Sequence, residues 1–140
     1  MKKKYKILIV DDEEDVLEVT SYHFLEHGFA VEATTNPRQA LTILQQGDID
    51  LILSDVRMPE YNGVMLLEDL KRSGFAHIPL IFMSAYADIS IDEALQQGAY
   101  AYYHKPLDFD SVIFDIYELL AATKDQPTLT NLPINTEKEN

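Results

Sequence analysis

The chain has 140 residues, of which 46% are hydrophobic and 25% are charged, and it contains no Cys. That length suits one domain, and the lack of Cys excludes a disulfide scaffold, a thiolate metal site and a cysteine nucleophile. The 11 basic residues against 24 acidic ones give a net charge of −13, which disfavours nucleic acid as a direct ligand. No apolar run approaches the roughly 20 residues of a membrane span. We therefore expect one acidic cytoplasmic domain without membrane contact.

Strands and helices are predicted to alternate along the chain. Short apolar, β-branched runs predict strands at 5–10, 29–34, 50–54, 80–84 and 100–104. Helical apolar spacing, with capping residues and terminal glycines, predicts helices that end at 28, 47, 74, 98 and 122. In the first helix, the spacing predicts a core-facing stripe made of Leu17, Thr20, Ser21, Phe24 and Leu25.

Short buried strands joined by amphipathic helices predict an α/β fold with a parallel sheet covered on both faces. Right-handed crossovers then limit the topology to a few doubly wound strand orders. After residue 123 the chain becomes rich in Thr, Asn and Pro and loses its periodicity. We expect one domain at 1–123, and a flexible tail or the start of an interdomain linker at 124–140.

Polar side chains follow the strands at the edge where ligands bind in open α/β sheets. They are Asp11 and Asp12 after the first strand, Asp55 after the third, Ser84 at the end of the fourth, and Lys105 with Pro106 after the fifth. Each has an ordinary explanation by itself, as a helix-terminal acid, a turn residue, a cap or a solvated lysine. Their joint occurrence at one edge predicts a functional site.

Three clustered carboxylates repel one another and favour a bound cation. Mg²⁺ suits such oxygen ligands and commonly also binds a substrate phosphate. An Asp carboxylate can act as a nucleophile and form an acyl phosphate, and it needs no general base at neutral pH. We therefore expect Mg²⁺ as the cofactor and Asp55 as the attacking group, with Lys105 and the Ser84 hydroxyl stabilising phosphoryl oxygens.

The motifs resemble those of the response-regulator receiver domain over about residues 4 to 123. They are IVDDE at 9–13, DVRMP at 55–59 with Gly63, Ser84-Ala85, and HKP at 104–106. The resemblance implies a flavodoxin-like, doubly wound, five-stranded parallel sheet of order 2-1-3-4-5 with helices on both faces. It also implies two-component signalling, in which a sensor histidine kinase or histidine phosphotransfer protein phosphorylates the domain. The surface of the fourth helix, fifth strand and fifth helix then controls an output partner or a fused output domain.

The same resemblance assigns roles to individual residues. Asp55 is the phosphoacceptor, and Asp12, Asp55, the Arg57 backbone carbonyl and, through water, Asp11 hold the metal. Ser84, the Ala85 backbone and Lys105 bind the phosphoryl group, Ser84 and Tyr102 form the switch, and the Lys105–Pro106 peptide bond is expected to be cis. The sequence around Tyr102 is equally compatible with a simpler role, in which its ring only packs on an edge strand and takes no part in a switch. Exposed neighbours Tyr100 and Tyr103 would instead indicate a contact surface.

Two bulky residues, Arg57 and Tyr86, flank the pocket at positions that vary in the family. We expect them to screen attacking water and to lengthen the lifetime of the phosphorylated state. The last helix, 108–122, contains no Lys or Arg, so the family's dimer mode based on charged pairs is not expected.

Three other functions are compatible with the general pattern. A Mg²⁺-dependent phosphohydrolase with an Asp nucleophile would normally carry D-x-D after the first strand, where this chain has Asp-Asp-Glu. A flavin- or nucleotide-binding domain would need a Gly- or Ser/Thr-rich loop where five acids stand. A degenerate receiver that only binds partners would not be expected to retain the full set of acids, hydroxyl and lysine.

Overall fold

The structure is a computed structural model, and it describes residues 4–85 and 91–125. Along them the elements are β1 (Lys6–Val10), α1 (Glu14–Glu26), β2 (Ala30–Thr34), a 3₁₀ turn (Pro37–Gln39) leading into α2 (Ala40–Gln45), β3 (Leu51–Asp55), α3 (Gly63–Arg72), β4 (Leu80–Ser84), α4 (Ile91–Gln96), β5 (Ala101–His104) and α5 (Phe109–Asp125). The predicted alternation is confirmed.

The five strands form one parallel sheet in the order β2-β1-β3-β4-β5, as predicted. The winding direction changes between β1 and β3, and the carboxyl ends of these two strands therefore open a crevice. Val10 pairs with Ser54, Asp55 with Met83, and Ser84 with His104. This register brings the residues that follow β1, β3 and β5 to a common level at one edge.

Both faces of the sheet are buried. On one face, alternate strand residues such as Leu8, Ile52 and Phe82 pack with side chains of α2, α3 and α4. On the other face, Ile9 and Leu53 belong to a cluster with side chains of α1 and α5. Because successive strand residues point to opposite faces, a strand covered on both sides must be apolar throughout. This explains the uninterrupted apolar runs.

One predicted core residue faces solvent instead. Leu17, Thr20 and Phe24 of α1 are buried, but Leu25 is 55% exposed. A helical residue is rotated by about 100° from its predecessor, so Leu25 lies past the edge of the stripe that ends at Phe24. The prediction for Leu25 was wrong.

The tyrosines of the fifth strand do not form an exposed cluster. Tyr102 is fully buried on the α4 side, Tyr103 is buried on the α1 and α5 side, and Tyr100 is half-buried. β5 is an edge strand, as expected, yet helices cover both of its faces. A contact surface made of Tyr100, Tyr102 and Tyr103 is therefore excluded.

The last helix extends beyond its predicted end at residue 122 and runs to Asp125. Thr123, Lys124 and Asp125 are all tolerated in a helix, and the first proline after them is Pro127. The rest of the predicted tail, 126–140, lies outside the described residues. In the described part of the chain, no helix is both long enough and apolar enough to cross a membrane.

The start of α3 packs against the backbone of Asp55. The Asn62 side chain caps this helix by accepting from Met65 N at 2.9 Å, and Gly63 N donates to Val56 O at 2.7 Å. A Cβ on Gly63 would lie 2.6 Å from Asp55 O and 2.7 Å from Phe82 Cε1. Only glycine allows this approach, which fixes the end of β3.

We predict that Gly63→Ala lowers the free energy of unfolding by about 1–3 kcal/mol, because the added methyl group must displace backbone or an aromatic ring. Urea unfolding measures the change. Ser73→Ala, at the exposed far end of α3, is the control and should stay within about 0.5 kcal/mol of the native chain. Equal losses in the two variants would contradict the close approach.

Candidate functional site

Three carboxylates meet at the carboxyl edge of the sheet. Asp11 follows β1 and is fully buried, Asp12 is more accessible, and Asp55 ends β3 with 6% exposure. One oxygen from each lies within 4.8 Å of the others. Glu13 N donates to Asp11 Oδ1 at 2.9 Å, and Arg57 N donates to Asp55 Oδ1 at 3.3 Å. Backbone donors thus hold two of the three carboxylates in place.

Lys105 bridges two of these acids. Its Nζ lies 2.7 Å from Asp11 Oδ2 and 3.0 Å from Asp55 Oδ2. Its backbone N donates to Ser84 O at 2.9 Å, which continues the pairing of β4 with β5. The Lys105–Pro106 peptide bond is cis. The lysine therefore joins the ends of three strands that are distant in sequence.

Burial and charge act in opposite directions on these groups. Burial raises the pKa of Asp55 above its ordinary value of 3.8, and the Lys105 hydrogen bond and charge offset part of that rise. Burial by itself would lower the pKa of Lys105, but its hydrogen bonds to Asp11 and Asp55 outweigh burial and raise it. The lysine therefore remains an ammonium at neutral pH. Counted by formal charge, three Asp side chains and one Lys leave two negative charges uncompensated.

These acids open into a pocket of about 350 Å³. It is lined by Asp12, Glu13, Asp55, Arg57, Met58, Pro59, Ala85 and Lys105. Hard oxygen donors with two uncompensated charges suit Mg²⁺, which usually binds one or two carboxylates and retains several waters. The donor set therefore fits the ion that the sequence predicts.

Not every predicted site residue lies in this pocket. The structure brings together Asp11, Asp12, Asp55, Arg57, Ala85 and Lys105. Ser84 is fully buried at the end of β4, and Tyr102 is fully buried with its ring 5.3 Å from that of His104. Tyr86 lies outside the described residues.

Sequence reasoning missed two residues near the site. Glu13 lies inside the IVDDE motif but has no role in the sequence-based assignment, yet it precedes α1 and lines the pocket. Its position only two residues after Asp11 is the sequence feature that indicates a place beside the carboxylates. The second residue is Tyr61, on the loop that follows Asp55. Nothing in the sequence points to it, because its hydroxyl contacts Asp69 in α3 and its ring contacts Arg38 in the 3₁₀ turn before α2.

A larger groove lies at a different place, between the turn that follows α1 and helix α5. Its volume is about 650 Å³, and it is lined by Tyr5, His27, Gly28, Phe29, Asp110, Ile113, Phe114 and Tyr117. Its single carboxylate belongs to Asp110, and its other side chains are mostly aromatic. The clustered charge that the sequence predicts for the site lies in the smaller carboxylate pocket, which is therefore the candidate site.

Comparison with known proteins agrees with this geometry. The family model described as "Response regulator receiver domain" matches residues 7–116. The chain belongs to the response regulator receiver domain family. Members of this family are signalling phosphoacceptor domains rather than classical enzymes. This receiver domain carries its acidic pocket at the edge where the sequence predicts one.

Curated relatives include the regulatory protein AtoC of Escherichia coli, 40% identical over 76% of this chain, and the response regulator SaeR of Staphylococcus aureus, 34% identical over 84%. The receiver domain spans only 23% and 51% of the lengths of these two relatives. Both are therefore considerably longer proteins than the segment they share with it.

Solved structures show the same fold. The receiver domain of the Francisella response regulator 1452 has a TM-score of 0.78 at 27% identity, covering 86% of this chain and 99% of that one. A CheY-like receiver domain protein from Methanospirillum hungatei has a TM-score of 0.78 at 27% identity, covering 89% of this chain and 99% of that one.

We predict that Lys105→Met raises the pKa of Asp55 further in metal-free protein, because the hydrogen bond and charge that lower it are lost. At any given pH, a larger fraction of Asp55 is then protonated and unreactive. Carboxyl ¹³C NMR titration measures the shift.

The control for this titration is Lys6→Met. Lys6 is also a cation paired with a carboxylate, since its Nζ lies 3.7 Å from Glu32 Oε2, but it stands at the start of β1, away from the site. It should leave the pKa of Asp55 unchanged. An Asp55 pKa that stays constant or falls in Lys105→Met would contradict the charge arrangement.

Proposed function

We propose that this receiver domain is a phospho-accepting signalling switch. A sensor histidine kinase or histidine phosphotransfer protein in the cytoplasm donates a phosphoryl group to Asp55 in a Mg²⁺-dependent step. The observation that carries the proposal is the Lys105 ammonium, which contacts both Asp11 and Asp55 inside an accessible carboxylate pocket.

The transfer step follows from the ionised carboxylate. One Asp55 oxygen attacks the phosphorus of a phosphohistidine, the P–N bond breaks, and the bonding electrons remain on the imidazole nitrogen. The product is an acyl phosphate on Asp55. The Lys105 ammonium would pair with phosphoryl oxygens, and the Ser84 hydroxyl and the Ala85 backbone N–H would provide further donors.

Four groups would hold the metal: Asp12, Asp55, the Arg57 backbone carbonyl and, through water, Asp11. The bound ion supplies positive charge that offsets the carboxylates and the transferred phosphoryl group. Two uncompensated negative charges in the pocket support this role. Asp11, which is buried and held by Lys105 and Glu13 N, would orient such a water.

The switch would pass from Ser84 to Tyr102 through neighbouring strands. Ser84 pairs with His104, and the ring of His104 lies 5.3 Å from the Tyr102 ring. A shift of Ser84 toward the phosphoryl group would disturb the buried ring of Tyr102 and so change the surface of α4, β5 and α5. That surface would then act on an output partner or on a fused output domain.

We predict that acetyl phosphate with Mg²⁺ adds one phosphoryl group per chain and that Asp55→Asn abolishes the gain, as measured by intact-protein mass. Asp50→Asn is the matched control, because Asp50 precedes β3 at the opposite end, where it accepts from Lys6 N at 2.9 Å. It should be phosphorylated like the native chain. A gain that persists in Asp55→Asn would contradict the proposal, and consumption of many donor molecules per chain would favour the phosphohydrolase.

We further predict that Arg57→Asn and Tyr86→Ala each shorten the lifetime of the phosphorylated chain severalfold, because a smaller side chain admits water to the acyl phosphate. Decay of the phosphorylated mass after removal of the donor gives the rate. Unchanged rates in both variants would show that neither side chain screens the site.

A further inference from the structure

The loop between β3 and α3, residues 56–62, forms one wall of the carboxylate pocket through Arg57, Met58 and Pro59. Its backbone is tightly folded: Tyr61 N donates to Pro59 O at 2.7 Å, and Glu60 has a φ of 66°. A non-glycine residue rarely adopts a positive φ. Contacts elsewhere must therefore stabilise this conformation of the β3–α3 loop.

Tyr61 supplies those contacts at the far end of the loop. Its side chain is buried in the cluster that contains Val56, Met58 and Leu66. Its hydroxyl donates to Asp69 Oδ2 in α3, and the other oxygen of Asp69 accepts from Arg72. One residue therefore connects the loop to the second turn of α3.

A second contact reaches the 3₁₀ turn before α2. The guanidinium carbon of Arg38 lies 4.9 Å from the centre of the Tyr61 ring, within the range of a cation–π interaction. The backbone of Arg38 is itself fixed, because its N donates to the capping Asn36 Oδ1 at 3.0 Å. Tyr61 is thus held from two separate elements.

The hydroxyl of Tyr61 is not needed to fill space, since phenylalanine would occupy the same volume. Burial, together with the hydrogen bond to Asp69, raises the pKa of Tyr61 to about 12. The phenol therefore stays protonated and remains a donor throughout the neutral range.

We propose that Tyr61 is a positioning residue for the metal site. Through Asp69 and Arg38 it fixes the β3–α3 loop and with it the backbone of Arg57, and so sets the affinity of the pocket for Mg²⁺. The inference rests on the proposed function, in which the Arg57 carbonyl is a metal ligand. Tyr61 itself does not touch the reacting groups.

The test compares Tyr61→Phe with Tyr103→Phe in the full chain. Both residues are 7% exposed, and each hydroxyl donates to an Asp on the following helix, since Tyr103 OH lies 3.0 Å from Asp115 Oδ2. Removing a group that supports a metal ligand commonly weakens binding by about 10- to 100-fold. We expect the Mg²⁺ dissociation constant, measured by calorimetry, to rise roughly tenfold in Tyr61→Phe and to remain native in Tyr103→Phe.

Two further readouts separate positioning from a general loss of stability. Urea midpoints should fall by similar amounts in both variants, because each loses one buried hydrogen bond. Amide hydrogen exchange of residues 56–62 in the metal-free protein should accelerate in Tyr61→Phe alone. Asp69→Asn keeps an acceptor for the phenol and should weaken Mg²⁺ binding less than Asp69→Leu.

Each other outcome overturns the inference in a recognisable way. Native Mg²⁺ affinity in Tyr61→Phe shows that the loop does not need the phenol. Equal weakening in Tyr61→Phe and Tyr103→Phe shows that affinity follows global stability. If the native chain binds no Mg²⁺, the proposed function fails and this inference fails with it.

Discussion

The ammonium group of Lys105, placed between Asp11 and Asp55, is the interaction on which the site depends. Two nearly buried carboxylates without a cation would be strongly unfavourable, and an isolated buried lysine would be equally so. The contact requires β1, β3 and β5 to end at the same edge, which the parallel register provides. The contact joins Lys105 to Asp11, which is 94 positions away in the sequence, and to Asp55, which is 50 positions away. The sheet topology and the charge cluster therefore support each other.

The bridge does not neutralise the site completely, and the remaining charge has a functional consequence. Asp12 is the most accessible of the three acids, and the pocket opens beside it. A cluster of like charges lowers the stability of the metal-free chain, a cost that is common at functional sites. A divalent cation would remove this repulsion. Asp55 also lines this pocket, which is where the proposed function would bring the phosphoryl group.

Most of the fold and the main carboxylates could be predicted from sequence, because each strand is an apolar run and each acid directly follows one. The errors have local physical reasons. Leu25 lies at the margin of a helical stripe, where a periodic pattern does not separate buried from exposed positions. The sequence left the exposure of Tyr103 open, because only the packing of α5 over this strand decides that its ring is buried. Tyr61 could not be found, since its role depends on the path of the loop and on Asp69 eight positions away.

The central claim is that the carboxylate held by Lys105 is the one that becomes phosphorylated. Borohydride reduces an acyl phosphate to an alcohol and thereby converts the modified Asp to homoserine, which peptide mass spectrometry locates. After treatment with a phosphodonor and Mg²⁺, we predict homoserine at position 55 alone. Homoserine at position 11 or 12, or no conversion in chains that have gained a phosphoryl group, would contradict this account.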